Sequence, residues 1–447
     1  MIPSGAIYLK NIKMPDLSVK KEKETINLII FENAVNRFSI AYLLFIFEKN
    51  NAVWHFKLHY FKNAADIRAI FDNANIISRP CIFMFSFMSS LLCEVAGTAG
   101  EIKKQAAAKG VCDNILLIAG GPHVSGDAES GLKMGFDLVF KGEAEASWPD
   151  FIAAVTQCLS ADNFKDTILS NYDSFIVSDN RPVVLDDFLP FGDIYSLVPP
   201  LEIMRGCFFN CKFCQTATCA VKYRSFSSIE KFCAEYQRRG YKRLCFICPS
   251  AFHYGAETPS RPNIAAIEAI LETAGGRYGI KFIEYGIFPS ESRPETITDE
   301  TAALIKKYCS NKRVSIGAQS GDPARILKLS RGHSLDTVYN ACEILRRHHL
   351  AAVIDFIFGF PGETEDEQMK TLAAIKDIHK KFGSRIQTHF FMPLPATPLY
   401  DSKPSPISPA ALALLEKYCS GGICTDWYKE GIEQSSRICK ILEELRK

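Results

Sequence analysis

The stretch Met204-Arg205-Gly206-Cys207-Phe208-Phe209-Asn210-Cys211-Lys212-Phe213-Cys214 decides the reading of this 447-residue chain. It spaces three cysteines as CxxxCxxC. Three thiolates so close in sequence can hold three irons of a cubane [4Fe–4S] cluster. The fourth iron then lacks a protein ligand and is open to a small chelating molecule. A zinc site and buried free cysteines are the other readings of the same residues. Zinc usually takes four ligands in two close pairs. Cys219 offers a fourth sulfur, but no second CxxC follows it.

Outward from this loop, 201–205 reads as a short strand that delivers it. Further strands are expected at 243–247, 282–287, 314–318, 352–358 and 386–391, with helical patterns between them, such as 299–308 and 335–347. Six β-α repeats over 201–400 predict an open parallel barrel, whose active site lies at the carboxyl ends of the strands.

The cysteine run resembles the radical S-adenosylmethionine (SAM) signature, and the strand ends resemble that family in turn. The resemblance implies that the amino and carboxylate groups of SAM chelate the open iron. One electron then breaks the S–C5′ bond and yields a 5′-deoxyadenosyl radical. Cys248-Pro249-Ser250-Ala251-Phe252 lacks the usual Gly-Gly-Glu, so backbone near Pro249 is expected to meet the SAM amino group. In Phe288-Pro289-Ser290-Glu291-Ser292-Arg293-Pro294-Glu295, Glu291 and Arg293 are candidates for the SAM head group; a surface ion pair is the plain alternative. Gln319 and Ser320, in Gly317-Ala318-Gln319-Ser320-Gly321, match the ribose-contacting strand, and Arg331 is expected at the SAM carboxylate. Phe358, in Asp355-Phe356-Ile357-Phe358-Gly359-Phe360-Pro361-Gly362-Glu363-Thr364, belongs to the segment beside the adenine. His253, Tyr254 and His389 face either the cavity or the packed interior, and the Cys245/Cys248 pair is expected to split between two environments.

Upstream, strands are expected at 26–31, 54–60, 81–87, 114–119 and 138–141, alternating with helices such as 38–47 and 64–71. Such alternation means a parallel sheet with helices on both faces, binding ligands at its carboxyl ends. Those ends carry Ser86, Gly120-Gly121-Pro122-His123-Val124-Ser125 and Gly142-Glu143-Ala144-Glu145. They resemble the cobalamin-binding domain that precedes some radical SAM domains, which implies that Ser86, Gly120, Gly121, Pro122, His123, Gly142 and Glu143 bind the corrin. The Asp-x-His-x-x-Gly motif of proteins that ligate cobalt through histidine is missing. His123 is therefore expected to pack or hydrogen-bond near the corrin. The fold class is α/β: a Rossmann-like cobalamin-binding domain (1–162), a linker (163–200), an open (β/α)6 radical SAM partial barrel (201–400) and a small, mostly helical C-terminal region (401–447). Trp427-Tyr428 is expected at the barrel mouth.

Together the two resemblances imply a cobalamin-dependent radical SAM C-methyltransferase. It would move a methyl group from SAM, via methylcobalamin, to an unactivated sp3 carbon. The compact length and the 249–252 and 288–295 segments resemble methanogen-type members, one of which methylates a glutamine carbon in the methyl-coenzyme M reductase alpha subunit. That subunit is the expected protein partner, with ferredoxin or flavodoxin as reductant. Non-methylating cyclisation or rearrangement is the alternative, and a non-catalytic sensor a third.

Composition narrows the field. Lysine and arginine number 52 against 50 acidic residues, so no basic excess favours nucleic acid. Sixteen scattered cysteines fit reduced thiols in a cytosol better than a disulfide framework, and an oxygen-labile cluster fits an anaerobic cell. Met1 to Lys23 is polar and lysine-bearing, unlike a signal peptide. Apolar stretches such as 40–47 are too short to span a bilayer. A soluble, cytoplasmic protein is expected.

Overall fold

The computed structural model describes residues 25–49, 53–158 and 163–447. The reading of Met1 to Lys23 and the domain boundary at 162 lie outside the described residues. The chain forms two units. One holds most residues up to Val183 together with Pro190–Pro199, and the other holds Val184–Leu189 and Pro200–Glu444.

The first unit is built on a parallel sheet. Its strands are β1 (Ile26–Phe31), β2 (Phe56–Phe61), β3 (Cys81–Ser86), β4 (Ile115–Gly120), β5 (Leu138–Lys141) and β6 (Ile176–Ser178), in the order β2-β1-β3-β4-β5-β6. β1 and β3 are buried at every position, as their nearly unbroken apolar runs require of central strands. Phe31, Phe61, Phe83 and Phe85 pack ring on ring, with centroids 5.3 to 5.9 Å apart. The chain leaves β1 on one side and resumes at β3 on the other. The crevice between their carboxyl ends is thus the topological switch point, where such sheets bind ligands. Asn36 pins it by donating to Phe31 O (2.9 Å) and Ser86 O (3.0 Å).

The first part of the expected linker, 163–200, is built into the first unit. Phe164–Leu169 is a helix capped by Asn163, with Phe164 and Ile168 fully buried, and β6 extends the sheet by pairing parallel with β5. Further on, Asp193 N donates to the Glu48 carboxylate at 2.8 Å within the same unit. A six-residue helix and a three-residue strand are too short to display a hydrophobic period, so the sequence shows only their Asp, Pro and Gly punctuation.

The second unit contains β7 (Leu201–Glu202), β8 (Met204–Arg205), β9 (Lys222–Tyr223), β10 (Arg243–Ile247), β11 (Phe282–Glu284), β12 (Arg313–Gln319), β13 (Ala351–Phe358) and β14 (Arg385–Phe390). β7, β10 and β11 form one parallel sheet, and β12, β13 and β14 another. The chain after β11 joins them: Ser315 N donates to Gly286 O (2.8 Å) and Ser292 N to Ser315 O (2.9 Å). The order β7-β10-β11-β12-β13-β14, with a helix after each of the first five, is that of an open (β/α)6 barrel.

Local chemistry sets the helix starts. Thr364 caps Glu365–Phe382 in a capping box with Glu367, while His379, Lys380 and Lys381 lie at the other end and Gly383 stops it in the left-handed conformation. The C-terminal region is two helices, Pro409–Ser420 and Trp427–Leu445. Between them Thr425 N donates to Ile386 O (3.0 Å), adding to the outer edge of β14. Among the described residues no helix is long and apolar enough to cross a membrane.

Candidate active site

Gly206 turns the chain out of β8 at φ +78°. A Cβ there would lie 2.4 Å from Ala220 O and 2.5 Å from Cys219 O, so the outgoing and returning chains close only over glycine. β8 and β9 then pair antiparallel, Met204 opposite Tyr223 and Arg205 opposite Lys222, and hold the cysteine loop at its base. Its far side is fixed too. Lys212 N donates to Leu329 O (3.1 Å), and Phe213 packs on Phe360 in an apolar cluster with Leu329 and Phe391. Cys211 is buried, and Cys207 and Cys214 are half-buried. Burial raises the Cys207 thiol, and the nearby Cys214 and Cys211 raise it further.

Among the described residues no three His, Cys, Asp or Glu side chains converge as they would on one metal ion. Cys219, the fourth sulfur, is exposed. A cubane places each thiolate on its own iron, so its sulfurs need not meet at a point.

Two arginines reach the same sulfur. Arg293 Nη1 lies 3.7 Å from Cys211 Sγ, and Arg331 Nη1 lies 3.6 Å from it. Arg293 is 3% exposed and stacks over the Phe209 ring at 3.5 Å. It also pairs with Glu295 and donates to Arg331 O. Arg331 Nη2 donates to Gly317 O at 3.0 Å.

Beyond the arginines lie acidic and amide groups. Glu291 is exposed. Protein packed around its carboxyl raises it, helped by the Asp355 charge and opposed by His389 and Arg331. Asp355 Oδ1 pairs with His389 Nε2 at 3.1 Å, and His389 packs against Trp427, ring centroids 5.5 Å apart. Gln319 sits beside a register shift in β12 with φ +71°, a conformation that costs a bulky residue about 1–3 kcal/mol and gathers at functional sites. Gln319 Oε1, Asp355 Oδ2, Ser292 Oγ and Arg331 Nε are buried without hydrogen-bond partners. Buried polar atoms are seldom left so; a polar ligand would satisfy them.

Several expected contacts lie elsewhere. Ser320 is fully buried; its hydroxyl lies 3.4 Å from Thr371 Oγ1 and accepts from Asp322 N (3.2 Å), which assigns it to a helix start rather than to a ribose. Phe358 is fully buried. Strand alternation puts it on the face of β13 opposite Asp355 and Ile357, so it packs in the core rather than beside an adenine. Arg293, expected at the SAM head group, is engaged at the cysteine loop. Pro249 is half-buried at the end of β10, and two residues on Ala251 N donates to Glu291 O (2.9 Å). His253 is buried, bonded to Ser250 Oγ (2.7 Å) and Pro259 O (3.1 Å). Cys245 meets Glu284 and Cys248 meets Ser250 O, two separate environments.

In the first unit, His123 is fully buried between Ser89 Oγ (2.9 Å from Nδ1) and Ser130 Oγ (3.2 Å from Nε2), stacked on Phe87. Burial lowers its pKa to about 4. With both nitrogens engaged it is a core residue, not a cofactor contact. Gly121 serves the sheet as well: a Cβ at its φ of +96° would lie 2.6 Å from Phe87 N. Gly142 differs, with φ +92° and open space where its Cβ would be. Ser125 ties the two loops, donating to Gly121 O (2.8 Å) and accepting from Gly142 N (3.1 Å). Gly120 and Glu143 are half-buried and Pro122 is exposed at these strand ends. Ser86 is buried and donates to Ser39 Oγ (3.1 Å).

Sequence reasoning passed over Asp355 and Glu363. Glu363 is 7% exposed, accepts from Gly359 N (2.6 Å) and is raised to about 7 by burial. The signal for Asp355 was a lone carboxylate inside the apolar strand 352–358.

Residues 201–375 match the Radical SAM superfamily model. A protein of Methanopyrus kandleri is 26% identical over 176 residues, 38% of this chain and 32% of the relative. A tRNA-2-methylthio-N(6)-dimethylallyladenosine synthase of Clostridium tetani is 26% identical over 208 residues, 45% of this chain and 43% of the relative. The chain thus matches less than half the length of either. In fold it is similar to the radical S-adenosylmethionine methyltransferase TsrM from Kitasatospora setae, solved with cobalamin and a [4Fe-4S] cluster. The TM-score is 0.57 at 12% identity, covering 84% of this chain and 77% of that one. It is equally similar to the cobalamin-dependent S-adenosylmethionine radical enzyme OxsB, with a TM-score of 0.57 at 14% identity, covering 95% and 56%.

Proposed function

We propose that this chain is a cobalamin-dependent radical SAM C-methyltransferase. The observation that carries the reading is three thiolates on a braced loop beside buried, unpartnered polar atoms, at the carboxyl ends of parallel strands in the segment that matches the Radical SAM superfamily model. When bound, the cluster and SAM supply a carbon-centred radical able to take hydrogen from an unactivated carbon, and cobalamin supplies the methyl group.

The residues fit these groups. Cys207, Cys211 and Cys214 would hold the cluster. Gln319 Oε1, Asp355 Oδ2 and Glu291 offer acceptors to the amino and hydroxyl groups of SAM. Arg331, with Nε unpaired, offers a donor to its carboxylate. Glycine at 142 leaves room for a bulky ligand at the sheet's carboxyl end. Phe213, Phe360 and Phe391 exclude water beside the cysteine loop, and fixed geometry supplies the proximity on which radical transfer depends.

For the acceptor, the reading is a glutamine residue of the methyl-coenzyme M reductase alpha subunit, supported by the 249–252 and 288–295 segments. A low-potential donor such as ferredoxin or flavodoxin supplies the electron. The test is an anoxic assay with reductant, SAM, cobalamin and a peptide bearing that glutamine. Methylated peptide, S-adenosylhomocysteine and 5′-deoxyadenosine are expected, and Cys211→Ala should yield none. Deoxyadenosine without S-adenosylhomocysteine would replace methyl transfer by the cyclisation or rearrangement reading.

A further inference from the structure

We propose that Arg293 and Arg331 form a cationic clamp on Cys211 that raises the reduction potential of the cluster. The inference rests on the cluster reading and adds a role to residues first expected at SAM. Two guanidinium groups approach one sulfur, at 3.7 and 3.6 Å. They also fix each other, since Arg293 Nη2 donates to Arg331 O. Phe209 covers the Arg293 guanidinium, whose side chain is 4% exposed. Screening by water is weak there, so charge acts strongly.

The charge balance explains why like charges are gathered at this point. Arg293 and Arg331 bring two positive charges together, and Glu295, paired with Arg293, offsets one of the two. The remaining positive charge calls for an anion. Three thiolates on [4Fe–4S]2+ carry a net charge of −1. A one-electron donor takes the cluster to [4Fe–4S]+, making the assembly −2, with no bond made or broken. Fixed cations stabilise the more negative state more. Hydrogen bonds to ligating sulfurs act in the same direction and are among the protein's levers on cluster potential.

Nothing in this role needs SAM, so the test omits it. Wild type, Arg293→Gln and Arg293→Lys are reconstituted anoxically and poised with a low-potential viologen mediator. The reduced fraction is read from the electron-spin resonance signal. At the wild-type midpoint, Arg293→Gln should lower the reduced-to-oxidised ratio about tenfold, or ~59 mV for one electron. Arg293→Lys, which keeps the charge, should recover most of the shift. If Arg293→Gln fails to hold a cluster, Arg331→Gln must show the same downward shift. A glutamine variant with wild-type iron content and an unmoved midpoint overturns the clamp. A wild type that takes up no cubane overturns the cluster reading instead.

Discussion

Gly206→Ala should empty the cysteine loop while leaving the barrel folded. Two costs arise at this position. An L-residue at φ +78° pays ~1–2 kcal/mol. A Cβ 2.4 Å from Ala220 O and 2.5 Å from Cys219 O forces backbone to move, which adds ~1–3 kcal/mol. The sum, ~2–5 kcal/mol, falls on a loop closed at its base by two residue pairs, Met204 with Tyr223 and Arg205 with Lys222. The loop can therefore open without unfolding the strands around it. At 1.4 kcal/mol per factor of ten, even the lower figure makes the closed form about 30-fold rarer. Gly240→Ala is the control: it shares φ +78° but has nothing within 4 Å of the added Cβ. The assay is iron and acid-labile sulfide per chain after anoxic reconstitution, with far-ultraviolet circular dichroism for the fold. Gly206→Ala should lose most of its iron at unchanged helix content, and Gly240→Ala should keep it. Equal iron in the two variants would rule out the backbone clash at Gly206 as the cause, because the strain they share would then be the whole effect.

Glu363 should make stability fall as pH rises. Its carboxyl is raised from 4.5 to about 7, so the folded state holds the proton more tightly, and the contribution present below about pH 4.5 is lost as pH rises through 7. The loss approaches ~3 kcal/mol by pH 8; denaturant midpoints at pH 5 and 8 should converge in Glu363→Gln and diverge in wild type. Gln319→Gly should stabilise the fold by ~1 kcal/mol by relieving the positive φ yet weaken SAM binding, a trade-off visible by comparing melting temperature with equilibrium binding. His123→Ala should cost ~1–3 kcal/mol by leaving the Ser89 hydroxyl without its imidazole partner. It should leave the spectrum of added cob(II)alamin unchanged, whereas a changed axial signal would restore His123 as a ligand.

Period and spacing made much of this architecture legible. The runs 26–31, 138–141 and 243–247 coincide with β1, β5 and β10, because an uninterrupted apolar stretch bounded by turn residues has few other ways to be buried. The helices 299–308 and 335–347 were equally plain, each starting at a Thr or Ser cap. β6 was not, since three residues carry no period. Nor was the Asp355 and His389 pair, which comes from adjacent strands whose register brings Ile357 opposite His389.

Chain order alone proposes the ligand set Cys207, Cys211 and Cys214, since a spacing of a few residues keeps three thiols on one short loop. It also fixed the parallel β/α order, since alternation leaves a strand little choice but to pair with the next strand in the same direction. Only the tertiary structure decided which polar side chains face the site. A bulge and a positive φ at the end of β12 turn Gln319 one way and Ser320 the other, and the packing of Phe209 draws Arg293 to Cys211. Side-chain direction depends on backbone torsion and on neighbours distant in sequence, and a residue's identity records neither.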